Sequence, residues 1–205
     1  CDTGGVVAAQ AALAQLSLAA GLYAGPVPGD KGVPPFGAWT PEAGPAASLA
    51  TLGQAQTGTH RIAIIFYRSY LVAADLAPMA ALFNEFRARG CAVTAFFAPS
   101  LKSPEAAQWL REELAEFQPD AIVNATAFSG KGDDGTSPLD AADVPVFQVA
   151  LATSTREAWA TSERGLSPAD LAMHVVLPEV DGRILAGVAS FKEMGQRDDD
   201  LQFAR

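Results

Sequence analysis

From Arg61 to Leu151 the chain alternates two patterns of apolar and polar positions. Ile62-Ala63-Ile64-Ile65-Phe66 is an unbroken apolar run bounded by polar residues and too short for a helix, which predicts a strand covered on both faces. After Asp75 the apolar residues fall at Leu76, Met79, Phe83 and Phe86, with Asn84, Glu85 and Arg87 between them. That spacing predicts a helix, and Gly90 is placed to cap it. Val93 to Ala98 predicts the second strand. Ser103-Pro104-Glu105 opens the next helix, with Ser as N-cap and Pro in the first turn; Ala107, Leu110, Leu114 and Phe117 form its apolar face and Pro119 ends it. Ala121-Ile122-Val123 and the segment Val144 to Leu151 predict a third and a fourth strand. Ser167-Pro168-Ala169-Asp170 reads as a capped start to a short helix that Pro178 stops, and Ile184 to Phe191 as a further strand.

Strands alternating with amphipathic helices pair in parallel through right-handed crossovers. The expected architecture is therefore α/β: a Rossmann-like or flavodoxin-like open, mainly parallel sheet with flanking helices over residues 60–193. An Ala-rich helix and a Gly/Pro-rich connector fill residues 1–59, and residues 194–205 form a tail or a truncated continuation. Val6 to Ala20 has neither Gly nor Pro and is apolar on nearly all faces, so it is expected to be a helix buried against something, a part of a longer parent protein being one candidate. Gln10, Gln15 and Ser17, with no basic residues ahead of them, suit neither a signal peptide nor a membrane span. Gly21 to Gly58 is punctuated by Gly-Pro pairs and Pro34-Pro35 and reads as an extended connector, with Tyr23, Phe36 and Trp39 as its anchors.

Composition narrows the possible roles. With 49% hydrophobic and 18% charged residues, against about 25% charged in a typical soluble domain, the 205-residue chain can fill one core. A net charge of −9 argues against a nucleic-acid partner, which would need clustered Lys and Arg. Two cysteines, Cys1 and Cys91, make neither a disulfide framework nor a thiolate zinc site, and a reducing, cytoplasmic home is the simplest. Cys91 is expected in the core. The only histidines, His60 and His174, are far apart and pair with no second ligand on a helix. Ser129 to Ser137 holds Gly-Lys-Gly but not the spacing of a phosphate-binding loop, so ATP binding by this chain is not expected.

In an open parallel sheet, ligands gather beyond the carboxyl ends of the strands. The loops expected there, Tyr67 to Tyr70, Pro99 to Lys102, Asn124 to Gly135 and Ala152 to Arg156, are rich in hydroxyls and amides and carry Arg68 and Lys102. They suit a ligand bearing carboxylates or amides, and the same residues could simply cap helices and close turns. The candidate binding residues are Arg68, Ser69, Tyr70, Asn124, Thr126 and Ser154. Leu177-Pro178-Glu179-Val180-Asp181-Gly182-Arg183 adds two carboxylates at a turn between apolar segments.

Six stretches occur in one order: Phe66-Tyr67-Arg68-Ser69-Tyr70, Ala98 to Ala106, Val123-Asn124-Ala125-Thr126-Ala127-Phe128-Ser129, Arg156-Glu157-Ala158-Trp159, Gly165-Leu166-Ser167-Pro168 and Leu177 to Arg183. Each is weak alone, and as an ordered series they resemble the CobN/magnesium chelatase family of metal-chelatase large subunits. The resemblance covers residues 61–193, with Leu22 to Pro35 resembling the linker before them. It implies an N-terminal portion of a subunit that binds a corrin tetrapyrrole and takes part in ATP-dependent insertion of Co2+, as substrate ion, into hydrogenobyrinic acid a,c-diamide in cobalamin biosynthesis. Partner subunits of the AAA+ type would use the ATP, the remainder of the large subunit would be needed for activity, and neither nucleic acid nor a membrane span is expected.

Such chemistry needs a base for pyrrolic protons and a ligand to hold the ion as it sheds water. Glu179 is the expected catalytic carboxylate, with Asp181 assisting, and Arg68 is expected to pair with a carboxylate of the corrin. No residue is assigned as a metal ligand. The competing reading of the turn has Asp181 bonding backbone amides and Gly182 at positive φ. Two other roles remain open: a Rossmann-like small-molecule binding domain unrelated to chelation, and a purely structural or docking segment of the chelatase.

Overall fold

The apolar run at residue 62 becomes the middle of a seven-stranded sheet. The computed structural model describes residues 6–22, 25–27, 32–53, 57–193, 195, 197–198 and 203–204. Cys1, the expected anchor Tyr23 and most of the tail lie outside them. In chain order the elements are α1 (Val6–Ala19), β1 (Gly37–Thr40), β2 (Gly44–Ala46), α2 (Leu49–Leu52), β3 (Arg61–Tyr67), α3 (Arg68–Val72), α4 (Ala77–Ala88), β4 (Ala92–Ala98) and α5 (Pro104–Phe117). There follow β5 (Ala121–Asn124), a 3-10 turn (Pro138–Ala142), β6 (Val146–Leu151), α6 (Arg156–Thr161), α7 (Pro168–Leu171), a π-helical segment (Ala172–Val176), α8 (Leu177–Val180) and β7 (Ile184–Ser190). A short hairpin of β8 (Arg197–Asp198) and β9 (Phe203–Ala204) completes the series.

The sheet order is β2-β1-β4-β3-β5-β6-β7, and the five strands from β4 to β7 are parallel. Numbered among themselves, those five run 2-1-3-4-5, the flavodoxin-like order, so the strand order reverses between β3 and β5. Side chains alternate across the sheet. Ile62, Ile64 and Phe66 of β3 join Met79 and Phe83 of α4 on one face; Ala63 and Ile65 join Leu110, Leu114 and Phe117 of α5 on the other. All seven residues of β4 are buried, as a strand covered on both faces requires.

The expected connector does more than connect. β1 pairs antiparallel with β4 and β2 with β1, so residues 37–46 extend the sheet at one edge. Trp39 is buried edge-on to Phe66 and Phe83, and this aromatic contact holds the segment in place. A Cβ at Gly37 would run into the Ala46 carbonyl oxygen, so the tight β1–β2 approach depends on glycine. Arg68 donates from Nε to the Pro34 carbonyl and from its terminal nitrogen to that of Val33, both at 2.8 Å. Periodicity could not show this, because the strands are four and three residues long and interrupted by Pro and Gly.

Other departures are local. Ser103 takes the N-cap position of α5 without a side-chain cap bond, and Ser167 makes the expected one, accepting from Asp170 N–H at 3.1 Å. Pro178 does not stop the helix before it. Leu177 N–H reaches back to Ala172 O, a π turn, so the ladder shifts by one residue ahead of a proline that has no N–H to donate; the helical path runs from Pro168 to Val180. Leu13 and Leu16 of α1 are exposed in this chain, so the helix does not lay these side chains on the sheet. Cys91 is half-buried against the core. No helix among the described residues is long and apolar enough to cross a membrane.

Glu113 of α5 is buried and accepts Leu49 N–H at 2.6 Å, linking α5 to α2. Burial pushes its carboxyl pKa up, against the opposing Leu49 bond. The folded state therefore holds the proton more tightly than the unfolded chain, and stability falls as pH rises through the carboxylate range. Glu113→Gln, which keeps an acceptor and removes the charge, is expected to raise the melting temperature at pH 7, with the gain fading on acidification. Thermal melts across that range test this, and a loss of stability at pH 7 would show that the ionised carboxylate is worth more than its burial costs.

Candidate functional site

The reversal of strand order leaves a cavity of about 140 Å³ at the carboxyl ends of β3, β5, β6 and β7. Its walls include Tyr67 from the end of β3, Tyr70 and Asp75 from the turn after it, Ala125 and Ala127 beyond β5, Thr153 beyond β6, Ser190 from β7, and His174 from the π turn. His174 is 6% exposed, and its Nδ1 is enclosed with no hydrogen-bond partner among the described residues. Burial pulls its pKa below the ordinary value, with Asp170 opposing, so the ring is neutral at neutral pH. Tyr67 donates its hydroxyl to Ala127 O at 2.6 Å, and burial raises the pKa of both Tyr67 and Tyr70. Asp75 is paired with Lys192 at 2.8 Å. A larger and more open depression, about 380 Å³, lies where Lys102 and Arg111 of the α5 region face the loop at Gly132 to Thr136.

Behind the cavity runs a buried polar chain. Thr126 donates to Asn124 Oδ1 at 3.0 Å, Asn124 Nδ2 to Gln148 Oε1 at 2.7 Å, and Gln148 Nε2 to Thr126 O at 2.8 Å. Arg183 continues the chain, donating to Gln148 Oε1 at 3.3 Å, to Phe128 O at 3.2 Å and to Asp181 Oδ2 at 2.9 Å. Asp181 also accepts from Ser129 Oγ and Gly130 N–H, each at 2.6 Å. The Arg183 and Asp181 side chains are 2% and 1% exposed. Burial pulls the guanidinium pKa down and Asp181 opposes it most. Gly130 is required at this point, because a Cβ there would lie 2.5 Å from an Arg183 nitrogen and 2.9 Å from Leu101.

The structure thus separates the residues expected to act together. Tyr70 lines the cavity. Asn124 and Thr126 are buried, with their polar atoms spent on each other and on Gln148, so they support the loop that forms the wall. Arg68 is committed to the residue 33–34 carbonyls, Ser69 is exposed, and the Ser154 hydroxyl is enclosed without a partner among the described residues. Asp181 accepts from three donors, one on Oδ1 and two on Oδ2, and its side chain is sealed from solvent, which is a positioning arrangement. Gly182 takes φ +80°, as the turn reading required. Glu179 is exposed and is not among the residues that line the cavity; it stands five residues after His174 on the same helical path, about 8 Å along its axis. In the sequence His174 stands ahead of the turn as a lone histidine that could face the crevice, a packed or surface role being the commoner one for such a residue. Nothing in its spacing announces a π turn.

The CobN/Magnesium Chelatase family profile matches residues 11–204. The chain belongs to the CobN/magnesium chelatase family. Within it, the aerobic cobaltochelatase subunit CobN of Sinorhizobium sp. is 40% identical over 134 residues, 64% of this chain and 10% of that protein. The corresponding protein of Pseudomonas aeruginosa is 35% identical over 144 residues, 69% of this chain and 12% of that protein. The H-type magnesium-chelatase component of Rhodobacter capsulatus is 33% identical over 146 residues, 67% and 11% of the two chains. The catalytic subunit of cobaltochelatase from Mycobacterium tuberculosis matches in structure with a TM-score of 0.72 at 25% identity, covering 98% of this chain and 17% of that one. The matched part of this member of the CobN/magnesium chelatase family therefore spans about a tenth of the length of the curated relatives.

Two outcomes are expected. Asp181→Ala strands the Arg183 charge in the interior and should cost about 3–5 kcal/mol in urea unfolding; a cost below about 1 kcal/mol would mean that water reaches the guanidinium. Acidification should also destabilise the fold. The neutral His174 ring resists a proton that the unfolded chain accepts near pH 6.5, so stability falls as pH drops through and below that value. His174→Gln should flatten that part of the stability profile, and an unchanged slope would assign the fall to other groups.

Proposed function

We propose that this chain forms one wall of the corrin tetrapyrrole site in the large subunit of a cobaltochelatase that inserts Co2+ into hydrogenobyrinic acid a,c-diamide. The observation that carries the reading is the cavity at the reversal of strand order, in a chain of the chelatase family. At about 140 Å³ it is well below the roughly 300–1,000 Å³ of pockets that enclose a whole drug-sized ligand. A macrocycle would therefore meet this chain along one edge, with the remainder of the large subunit enclosing the rest. ATP hydrolysis falls to AAA+ partner subunits in this reading, and the assembly is cytoplasmic.

Of the two turn carboxylates, Glu179 is the one whose side chain is available to take a pyrrolic proton or hold the arriving ion; Asp181 positions the turn. Glu179 does not line the cavity; it follows His174 by five residues on one helical path, about 8 Å along its axis, so its role requires the reacting centre to lie outside the cavity, on the Glu179 side of His174. A second reading, a docking segment without tetrapyrrole contact, draws support from the apolar side chains exposed on the last helix and the edge strand: Leu171, Val176, Leu177, Val180, Ile184 and Leu185.

An absorbance titration of the 205-residue chain with hydrogenobyrinic acid a,c-diamide separates the two readings. Saturable binding is expected, unchanged by Glu179→Gln; no binding by a demonstrably folded chain favours docking. In the reconstituted chelatase, Glu179→Gln is expected to slow cobalt insertion by roughly 100-fold or more, the scale of a lost general base. Unaltered insertion would remove Glu179 from the chemistry.

A further inference from the structure

We propose that the cavity at the carboxyl ends of β3, β5, β6 and β7 is a subsite for one primary carboxamide arm of the tetrapyrrole, bound by His174 and Tyr70. The inference rests on the tetrapyrrole reading above and specifies which part of the ligand enters.

Size sets the first limit. A cavity of about 150 Å³ in another protein admits benzene, so one of about 140 Å³ has room for an acetamide or propionamide arm and none for a ring system. Polarity sets the second. His174 and Tyr70 line the cavity, and neither the imidazole ring nor the Tyr70 hydroxyl makes a hydrogen bond among the described residues, with Nδ1 sealed from solvent and Nε2 the ring nitrogen left to a ligand. A neutral imidazole offers one donor and one acceptor, and a tyrosine hydroxyl can do either. Tyr67, whose proton goes to Ala127 O, can still accept.

Charge then chooses between the two arms that satisfy those limits. Lys192 is the cation of the lining, and it is already paired with Asp75 at 2.8 Å. The Asp170 carboxylate, fully buried, lies behind Thr153 and accepts its N–H and hydroxyl at 3.0–3.3 Å. A carboxylate arm would enter beside the buried Asp170 carboxylate, a neutral imidazole and a Lys192–Asp75 pair with no net charge, and would lose its hydration without compensation. A carboxamide carries no charge and brings two N–H donors and a carbonyl acceptor. The π turn is what places the ring here, because the extra residue in that turn shifts the register of the helix at His174, and such bulges recur at functional sites.

The test uses propionamide and propionate as probes of the 205-residue chain, read through the side-chain nitrogen resonances of His174. Propionamide is expected to shift them saturably, with propionate about tenfold weaker or silent, and His174→Gln or Tyr70→Phe should each weaken propionamide by about tenfold, the loss of one buried hydrogen bond. Tyr70→Phe removes a single oxygen from a half-buried side chain, so it remains informative should His174→Gln misfold. Equal responses to the two probes, or no response in the folded wild type, would overturn the carboxamide subsite. The source of the amide is tested by comparing hydrogenobyrinic acid a,c-diamide with the same macrocycle lacking both amides. Tighter binding of the diamide, abolished by Tyr70→Phe, supports a tetrapyrrole arm. Equal binding overturns that assignment and points to an Asn or Gln side chain as the occupant. Should neither macrocycle bind while propionamide does, the tetrapyrrole reading itself fails and the amide-binding cavity stands without it.

Discussion

The Asp181–Arg183 pair holds the second half of the domain together. Two charges sealed from solvent are costly unless they are paired and hydrogen-bonded, and here the carboxylate receives three donors while the guanidinium reaches three segments. Through it, the loop after β5 is tied to the turn before β7, and Gln148 of β6 is tied to both. That loop runs from Ala125 to Gly130 with little regular structure, so its shape depends on these bonds. Ala125 and Ala127, which line the cavity, are carried by it.

A consequence is a division of labour between the two ends of the parallel strands. The carboxyl end holds the cavity, with a neutral histidine and tyrosine hydroxyls. The amino end of β7 holds the structural latch, with Glu179 exposed beside it. The helical path from Pro168 to Val180 joins the two ends, and its π turn lets the chain pass Pro178 while presenting His174 to the cavity. One deviation from regular helix thus serves both packing and site.

The outer strand and helix of this half are less covered than the rest. Val180 is 68% exposed and Ile184 54%, while β3 and β4 are almost wholly buried. Exposed apolar side chains clustered on one outer strand and helix are the feature that the docking reading draws on. The relatives are about six times longer than this chain, so such a surface has further chain within the same subunit to meet.

The sequence by itself determined the class of fold and most of its elements. Continuous apolar runs at Ile62 and Val93 and three- to four-residue spacing at Met79 and Leu110 are direct records of burial, and burial has the periodicity of the backbone that carries it. The ordered motifs also identified the family. The sequence could not show that Asn124, Thr126, Arg68 and Asp181 would be used internally, because a polar residue has the same letter whether it faces a ligand or a buried partner. Those assignments depend on contacts between residues far apart in the chain, such as Asn124 with Gln148, 24 positions apart, Arg68 with Pro34, 34 apart, and Ser129 with Asp181, 52 apart. Nor does the pattern around Pro178 reveal a π turn, since one shifted hydrogen bond leaves the spacing of apolar residues nearly unchanged. Long-range pairing, which only the folded chain realises, decided which of two equally polar turns became the latch and which the cavity.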